Sequence, residues 1–353
     1  MKEIIIGNNE EQKRLDKLLI KYLDKAPSSF IYKMLRKKNI TLNDKKASGN
    51  EKLNTGDIIK IFLSDETFAK FSSLQNTKKE YDFMTQKAKN MSLKLKVVYE
   101  DDNFILMNKP YGVLSQKAEA ADISINEIML AYLYNKGCIT NETLKTFKPS
   151  ICNRLDRNTS GLIIGGKSLK ALQYSSEFLK DRSSEKYYLA FVHGKILRSA
   201  LIKGYLTKDR LENKVKITNN PVNEEDNPIE TFYMPIALYE NMTLLKIKLI
   251  TGKPHQIRAH LASINHPIIG DTKYGNASVN KYFYEKYGIR HQLLHSYEFI
   301  FPDKDGDFKY LANKQFIAKP PEAFNIMLEN NIPLKGLDEN GNMEFKRIKG
   351  QCS

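Results

Sequence analysis

One carboxylate lies between two guanidinium groups near the middle of this chain. In Asn153-Arg154-Leu155-Asp156-Arg157-Asn158-Thr159-Ser160-Gly161-Leu162, Asp156 follows Arg154 by two positions and precedes Arg157 by one. Nearby positive charge favours the ionised form of an acid, and an ionised Asp can act as nucleophile or base. The arginines suit phosphate contact. A small-residue turn comes next, then the apolar run Leu162-Ile163-Ile164. Leu155 and Leu162 are expected to point inward and to leave Asp156 beside the turn. The same residues also allow a structural reading, in which Asp156 caps that turn and pairs with Arg154 or Arg157.

Two further stretches combine strand or helix patterning with reactive side chains. Lys186-Tyr187-Tyr188-Leu189-Ala190-Phe191-Val192-His193-Gly194 alternates like a strand, with Lys186, Tyr188, Ala190, Val192 and Gly194 on one face. A tyrosine in such a strand ordinarily serves the core. In Leu249-Ile250-Thr251-Gly252-Lys253-Pro254-His255-Gln256-Ile257-Arg258-Ala259-His260-Leu261-Ala262, a strand ends at a Gly turn. Pro254 suits the first helical position, and Arg258 falls about one turn into the helix. His266-Pro267-Ile268-Ile269-Gly270-Asp271 and Tyr274-Gly275 follow.

Two patterns imitate other chemistries. Gly161-Leu162-Ile163-Ile164-Gly165-Gly166-Lys167-Ser168 fits the P-loop spacing letter for letter. A P-loop needs a buried strand before its first Gly and a loop after it. Here polar residues precede Gly161 and Leu-Ile-Ile occupies the supposed loop, so a strand is expected and no nucleotide binding. His255, His260 and His266 could suggest a metal. However, a spacing of five splays the first two around a helix by roughly 140°, and no cysteine completes a tetrahedral set. No metal site is expected.

Taken together these stretches resemble the RluA/RluC/RluD-type pseudouridine synthases. The first matches the family's His-Arg-Leu-Asp-x-x-Thr-Ser-Gly, with Asn153 in place of the His. The second matches Lys-x-Tyr-x-Ala-x-Val-x-Gly. The third matches Thr-Gly-Arg-x-His-Gln-Ile-Arg-x-His-Leu followed by His-Pro-x-x-Gly-Asp-x-x-Tyr-Gly, with Lys253 in place of the Arg. Val98-Tyr99-Glu100-Asp101 to Asn108-Lys109-Pro110-Tyr111-Gly112, and Leu294-His295-Ser296 to Phe299, agree with the entry motif and a late strand. The resemblance spans about residues 93–325.

It implies an isomerase that detaches uracil from ribose, turns it, and rejoins it through ring carbon 5, without cofactor or metal. Asp156 would start the chemistry, either at the anomeric carbon or at the ribose 2′ proton. Tyr188 would stack on the uracil, Arg258 would pair with Asp156, and Arg154 would help displace the nucleotide. Lys109 would lie at the cleft and touch RNA backbone. The resemblance points to large-subunit ribosomal RNA, with a lean toward the RluC-like branch. A non-catalytic RNA-binding or ribosome-assembly protein is the rival from another class; Asp156, Tyr188 and Arg258 occurring together argue against it.

The surrounding elements must position these residues. The chain has 353 residues, 19 Tyr, 17 Phe, no Trp and a net charge of +15, enough for about two to three domains and favouring a polyanionic partner. Its three cysteines, Cys138, Cys152 and Cys352, are scattered, which suggests a reduced, cytoplasmic setting. The N-terminus has no signal-peptide pattern, and no apolar run reaches membrane-spanning length. A monomer without membrane attachment is expected.

Residues 1–63 read as a small unit. Leu15, Leu18, Leu19 and Tyr22, then Ile31, Met34 and Leu35, follow helical spacing, with Ser28 and Ser29 as candidate caps. Strands are expected at 40–42 and 58–63, with turns at Asn43-Asp44 and Gly56-Asp57. Lys33, Arg36, Lys37, Lys38, Lys45 and Lys46 surround one helix-turn, opposed locally only by Asp44. Such a cluster fits a phosphate backbone, although a charge run is ordinarily a solvated face. The order of elements resembles the αL (S-four-like) RNA-binding domain, with Lys38-Asn39 and Asn43-Asp44 where Gly is commoner. Residues 64–92 read as a linker, partly helical, and 329–353 as a polar, loosely ordered tail. Between them, 93–328 is expected to form an α+β domain of mixed, mostly antiparallel sheet, flanking helices and a central cleft. Its strands are expected near 95–99, 104–108, 162–166, 186–193, 229–238 and 242–250, and its helices near 124–135, 168–180 and 255–264.

Overall fold

A computed structural model of the chain describes residues 1–7, 9–72, 88–119, 121–141, 143–209, 214–221, 226–331 and 335–336. The N-terminal part contains β1 (Lys2–Ile5), α1 (Leu15–Tyr22), α2 (Ser28–Arg36), β2 (Ile40–Leu42), β3 (Lys45–Lys46), β4 (Ile58–Ile61) and α3 (Asp65–Phe71). Next come β5 (Lys96–Glu100), β6 (Phe104–Lys109), α4 (Ile125–Asn135), α5 (Thr143–Thr146), β7 (Ser150–Ile151), β8 (Ser160–Gly166), α6 (Leu169–Lys180) and β9 (Glu185–His193). The remainder holds β10 (Ala200–Asp209), β11 (Lys214–Thr218), β12 (Asn227–Leu238), β13 (Met242–Leu249), α7 (Gln256–Ser263), α8 (Ala277–Tyr287), β14 (Leu294–Ile300), β15 (Gln315–Ile317), α9 (Glu322–Glu329) and β16 (Lys335–Gly336).

The first four strands form their own sheet in the order β1-β4-β2-β3. Helical spacing in α1 and α2 buries Leu15, Leu18, Leu19, Ile31 and Leu35 against Ile59 and Ile61 of β4. The turn between β2 and β3 puts Asn43 and Asp44 at φ 50° and 61°, and α2 is left through Lys38 at φ 57°. Residues other than Gly thus take the left-handed backbone these two turns need. Ser28 and Ser29 are not caps. Pro27 is the N-cap, without a side-chain hydrogen bond, so both serines lie within the helix.

The second sheet runs β11-β10-β12-β13-β9-β14-β8-β6-β5, with β7, β15 and β16 paired at its margins. All neighbours along it are antiparallel except β14 and β8. Both faces of its centre are buried. Ile163 of β8 and Tyr188, Ala190 and Val192 of β9 join α4 and α7 in one core. Leu162 and Ile164 pack with Phe178 of α6 on the opposite face, while Leu189 and Phe191 meet Phe283 of α8 and Phe324 of α9. Alternation of side chains along each strand distributes them in this way, and double-sided burial explains the unbroken apolar run in β8. Gly161 to Gly166 are therefore a mid-sheet strand, not a phosphate loop. Gly161 sits at φ 112°, where an added Cβ would fall 2.1 Å from the Ser296 carbonyl oxygen.

The two sheets are joined through hydrogen bonds. Lys13 and Lys21 donate to the Thr146 carbonyl of α5 at 3.5 and 3.3 Å, and the Leu169 amide opening α6 donates to Asn9 Oδ1 at 2.9 Å. Among the described residues no helix is long and apolar enough to cross a membrane. Of the expected linker, 65–71 is helical and 73–87 lie outside the described residues. The expected tail also lies outside them, apart from 329–331 and Lys335–Gly336, which pairs with Ala237 and Leu238.

Candidate active site

Asp156 sits on the loop between β7 and β8, and that loop is pinned from several sides. Ser115 Oγ donates to the Leu155 carbonyl at 2.7 Å and accepts from the Leu155 amide at 2.9 Å. The Thr159 amide donates to the Asp156 carbonyl at 3.1 Å, closing the turn, and Gln292 Nε2 donates to Thr159 Oγ1 at 3.0 Å. With its backbone fixed, Leu155 turns into the core and the Asp156 carboxylate remains 24% exposed.

The carboxylate's partner comes from α7. Arg258 Nη1 donates to Asp156 Oδ2 at 2.9 Å. The other side of the same guanidinium grips Asp271 through Nε–Oδ2 at 2.7 Å and Nη2–Oδ1 at 2.8 Å. Asp271 is wholly buried and also accepts from the amides of Lys273 and Tyr274. Burial works against the guanidinium's charge, yet Asp271 and then Asp156 hold Arg258 above its ordinary range. Burial opposes the Asp271 carboxylate too, but Arg258 and the two amides bring it below the usual carboxylate range. A fork clamped on one side is a preorganised donor on the other.

Tyr188 of β9 lies near enough to Asp156 to feel its charge. It is 6% exposed, and burial, with a smaller contribution from Asp156, pushes its phenol up to about 12. A phenol with that value is neutral at pH 7. His255 also approaches the carboxylate, with Nε2 4.0 Å from Asp156 Oδ2 and Nδ1 3.0 Å from the Tyr274 hydroxyl. The sequence placed Pro254 at the first helical position; instead His255 is the N-cap of α7, in left-handed backbone, and the helix begins at Gln256.

Lys109 requires correction. Instead of facing RNA backbone, it is completely buried, and its ammonium donates to the carbonyls of Pro110 (3.0 Å), Val113 (2.8 Å) and Arg157 (3.1 Å). Burial, partly offset by Asp156, brings its pKa down to about 7. Three donors satisfied by three carbonyls make Lys109 a post behind the Asp156 loop. Arg157 adds a second brace by donating to the Gly112 carbonyl at 3.1 Å. Asn153 also serves the loop. Its Oδ1 accepts from the Ile164 amide at 2.8 Å and its Nδ2 donates to the Leu162 carbonyl at 3.3 Å, continuing the β7–β8 ladder with a side chain. Its place is structural.

The remaining candidates are on the surface. Arg154 is exposed, as are Lys33, Arg36, Lys37, Lys38, Lys45 and Lys46, and none of them has a carboxylate within ion-pair distance among the described residues. The histidines considered for metal have other partners: His255 the Tyr274 hydroxyl, His260 Nδ1 the Thr231 hydroxyl, and His266 Nδ1 the His193 carbonyl. Sequence reasoning gave no role to Asp271 or Tyr274, although both stand in the Gly-Asp and Tyr-Gly pairs it singled out. A buried acid at a turn gives no signal until its partner is known.

Residues 103–263 match the family model described as RNA pseudouridylate synthase. A protein of Buchnera aphidicola subsp. Baizongia pistaciae named ribosomal large subunit pseudouridine synthase C is 30% identical over 325 residues, covering 89% of this chain and 94% of that protein. The chain belongs to the RNA pseudouridine synthase family. It is therefore an isomerase that acts on RNA. An uncharacterized RNA pseudouridine synthase of Mycoplasma genitalium is 29% identical across 93% of this synthase and 98% of its own length. Among solved structures, human RNA pseudouridylate synthase domain containing 4 superposes with a TM-score of 0.55 at 19% identity, covering 70% of this chain and 97% of that one. That likeness establishes the fold of the synthase, the expected α+β arrangement with a mostly antiparallel sheet.

Proposed function

We propose that this synthase isomerises uridines of large-subunit ribosomal RNA, with Asp156, Tyr188 and Arg258 as the catalytic residues. One observation carries the reading: Arg258 bridges the partly exposed Asp156 carboxylate and the buried Asp271. A partly exposed acid with one oxygen bound to a fixed cation suits attack on an anomeric carbon, or removal of the 2′ proton. Breaking the ribose–N1 bond, turning the base, forming the ribose–C5 bond and moving the C5 proton to N1 conserves every atom, so the reaction calls for no cofactor. Tyr188, whose phenol feels the Asp156 charge, is assigned to stack on the base. As a neutral phenol it can orient the base, whereas taking the C5 proton would require a phenolate.

The target nucleotide has to leave its stack, at a cost of a few kcal/mol. Exposed Arg154, two residues from Asp156, is assigned to that step. Residues 1–63 are assigned as the RNA-binding module, with Lys33, Arg36, Lys37, Lys38, Lys45 and Lys46 as its phosphate contacts, residues 64–92 as linker and 93–328 as the catalytic domain. The ribosomal target is supported by relatives named for the large subunit, among them the Buchnera and Haemophilus influenzae proteins. A monomer acting in the cytoplasm completes the reading.

Chemical mapping of pseudouridines in large-subunit ribosomal RNA, from cells with the protein, without it, and with Asp156→Asn, tests this directly. Sites present only with the intact protein are expected. Full modification by Asp156→Asn would sink the assignment of Asp156, and an unchanged ribosomal map would sink the target.

A further inference from the structure

His255 comes within 4.0 Å of Asp156, and the reaction scheme leaves it unused. It precedes α7 in left-handed backbone at φ 57°, a conformation uncommon outside Gly and found disproportionately at functional positions. Its Nδ1 is 3.0 Å from the Tyr274 hydroxyl. That hydroxyl already accepts from the Val215 amide at 2.9 Å. A phenol has a single proton to give, and among the described residues His255 Nδ1 is the acceptor in reach. With the Tyr274 O–H given to Nδ1, the chain of bonds runs from the Val215 N–H to the Tyr274 oxygen and on to the ring. In the neutral ring this places the proton on Nε2.

The ring is surrounded by Asp156, Arg258, Lys273 and Asp271; burial lowers its pKa from the ordinary value and outweighs the pull of Asp156. Nε2 lies 4.0 Å from Asp156 Oδ2, beyond hydrogen-bond reach. A donor in a partly buried site, oriented by a relay and lacking an acceptor among the described residues, is suited to a substrate oxygen.

We propose that neutral His255 donates a hydrogen bond from Nε2 to a carbonyl oxygen of the target uracil as the base separates from the ribose. This rests on the reading that Asp156 acts at the ribose. When the C1′–N1 bond breaks, its electron pair leaves with the base and the negative charge spreads over N1, O2 and O4. C1′ is then captured by the Asp156 carboxylate, or the 2′ carbon gives up its proton to that carboxylate and shares a double bond with C1′. On both routes the departing base is an anion, and His255 stabilises it without surrendering its proton. Tyr274 is then a positioning residue, since it sets which nitrogen carries the hydrogen. A preorganised donor aimed at developing charge is worth about 100-fold in rate.

Two measurements test this. Long-range ¹H–¹⁵N spectra of the full-length protein at pH 7 should show His255 neutral with the proton on Nε2, and Tyr274→Phe should shift the ring toward the other tautomer. An Nδ1–H ring in the intact protein would overturn the proposal. Second, single-turnover rates should be taken on large-subunit ribosomal RNA transcribed with uridine, 2-thiouridine or 4-thiouridine. His255→Ala should slow the uridine reaction by about 100-fold at unchanged RNA affinity, and His255→Gln should recover part of the loss. Because sulfur accepts hydrogen bonds weakly, the gap between intact protein and His255→Ala should shrink on one of the thio transcripts. An equal gap on all three would refute contact with the base. If Asp156→Asn proves active, the ribose reading fails, while the spectra still decide the His255 tautomer.

Discussion

Asp271 holds Arg258 by two parallel hydrogen bonds of 2.7 and 2.8 Å, leaving Nη1 as the donor to Asp156. Arg258 is thus fixed from behind by an acid that is itself wholly buried. Removing one member of a buried pair leaves an uncompensated charge, at a cost of about 3–5 kcal/mol. Asp271→Asn should lower the denaturation midpoint accordingly and slow pseudouridine formation. Arg258→Lys, which has no fork, should retain more stability than Asp271→Asn while losing comparable activity. Urea unfolding and single-turnover rates on the same preparations would check the ordering.

Lys109→Met separates a post from a phosphate contact. The substitution leaves the carbonyls of Pro110, Val113 and Arg157 without their shared donor, a loss of about 1–3 kcal/mol for a buried unsatisfied group. Stability and rate should both drop. The salt dependence of RNA binding should stay the same, because no phosphate contact disappears. A shallower slope in a filter-binding salt titration would return Lys109 to the RNA surface.

The basic face of α2 behaves oppositely. Changing Lys33, Arg36, Lys37 and Lys38 together to Ala removes exposed charges that have no carboxylate within ion-pair distance among the described residues. The log–log slope of affinity against salt should flatten by up to about 3, taking about 0.7 per phosphate contact on single strands. The melting temperature should hardly change.

Acid should destabilise the fold through two buried histidines, His260 of α7 and His295 of β14. Burial pushes His260 and His295 down to about 4, against about 6.5 in an unfolded chain. Between those values the unfolded state binds more protons, so stability is complete above about 6.5 and is lost as pH falls toward 4. A tenfold difference in proton affinity corresponds to about 1.4 kcal/mol, so each histidine contributes up to about 3 kcal/mol. Urea midpoints at pH 7, 5.5 and 4.5 should fall in that order, and His260→Asn should flatten part of the decline.

Strand and helix positions near the site were legible because their side-chain periodicity was undiluted. Val192, Ala190 and Tyr188 alternate with Phe191 and Leu189, and both sets are buried. β10 and β11 were not anticipated. Gly204 and the lysines of Ala200–Asp209 interrupt any apolar pattern, as expected of strands at the sheet's margin. α8 escaped because its aromatic residues face outward as well as inward: Tyr282 and Tyr284 are exposed while Phe283 is buried. The pairing of Asp156 with Arg258 could be inferred from motif resemblance, since both residues stand in matched positions. The burial of Lys109 could not. A lysine after an apolar strand reads as an exposed cation until the three carbonyls that surround it are brought together by the fold.

β14 lies between β9 and β8, so this late strand joins the half of the sheet carrying Asp156 to the half carrying Tyr188. During synthesis Asp156 emerges long before Leu294–Ile300 leaves the ribosome. The two halves of the sheet therefore stay unjoined in an unfinished chain, and contacts this distant in sequence make for slow assembly. A chain ending before Leu294 would carry Asp156 and Tyr188 but lack the strand that pairs with both β8 and β9.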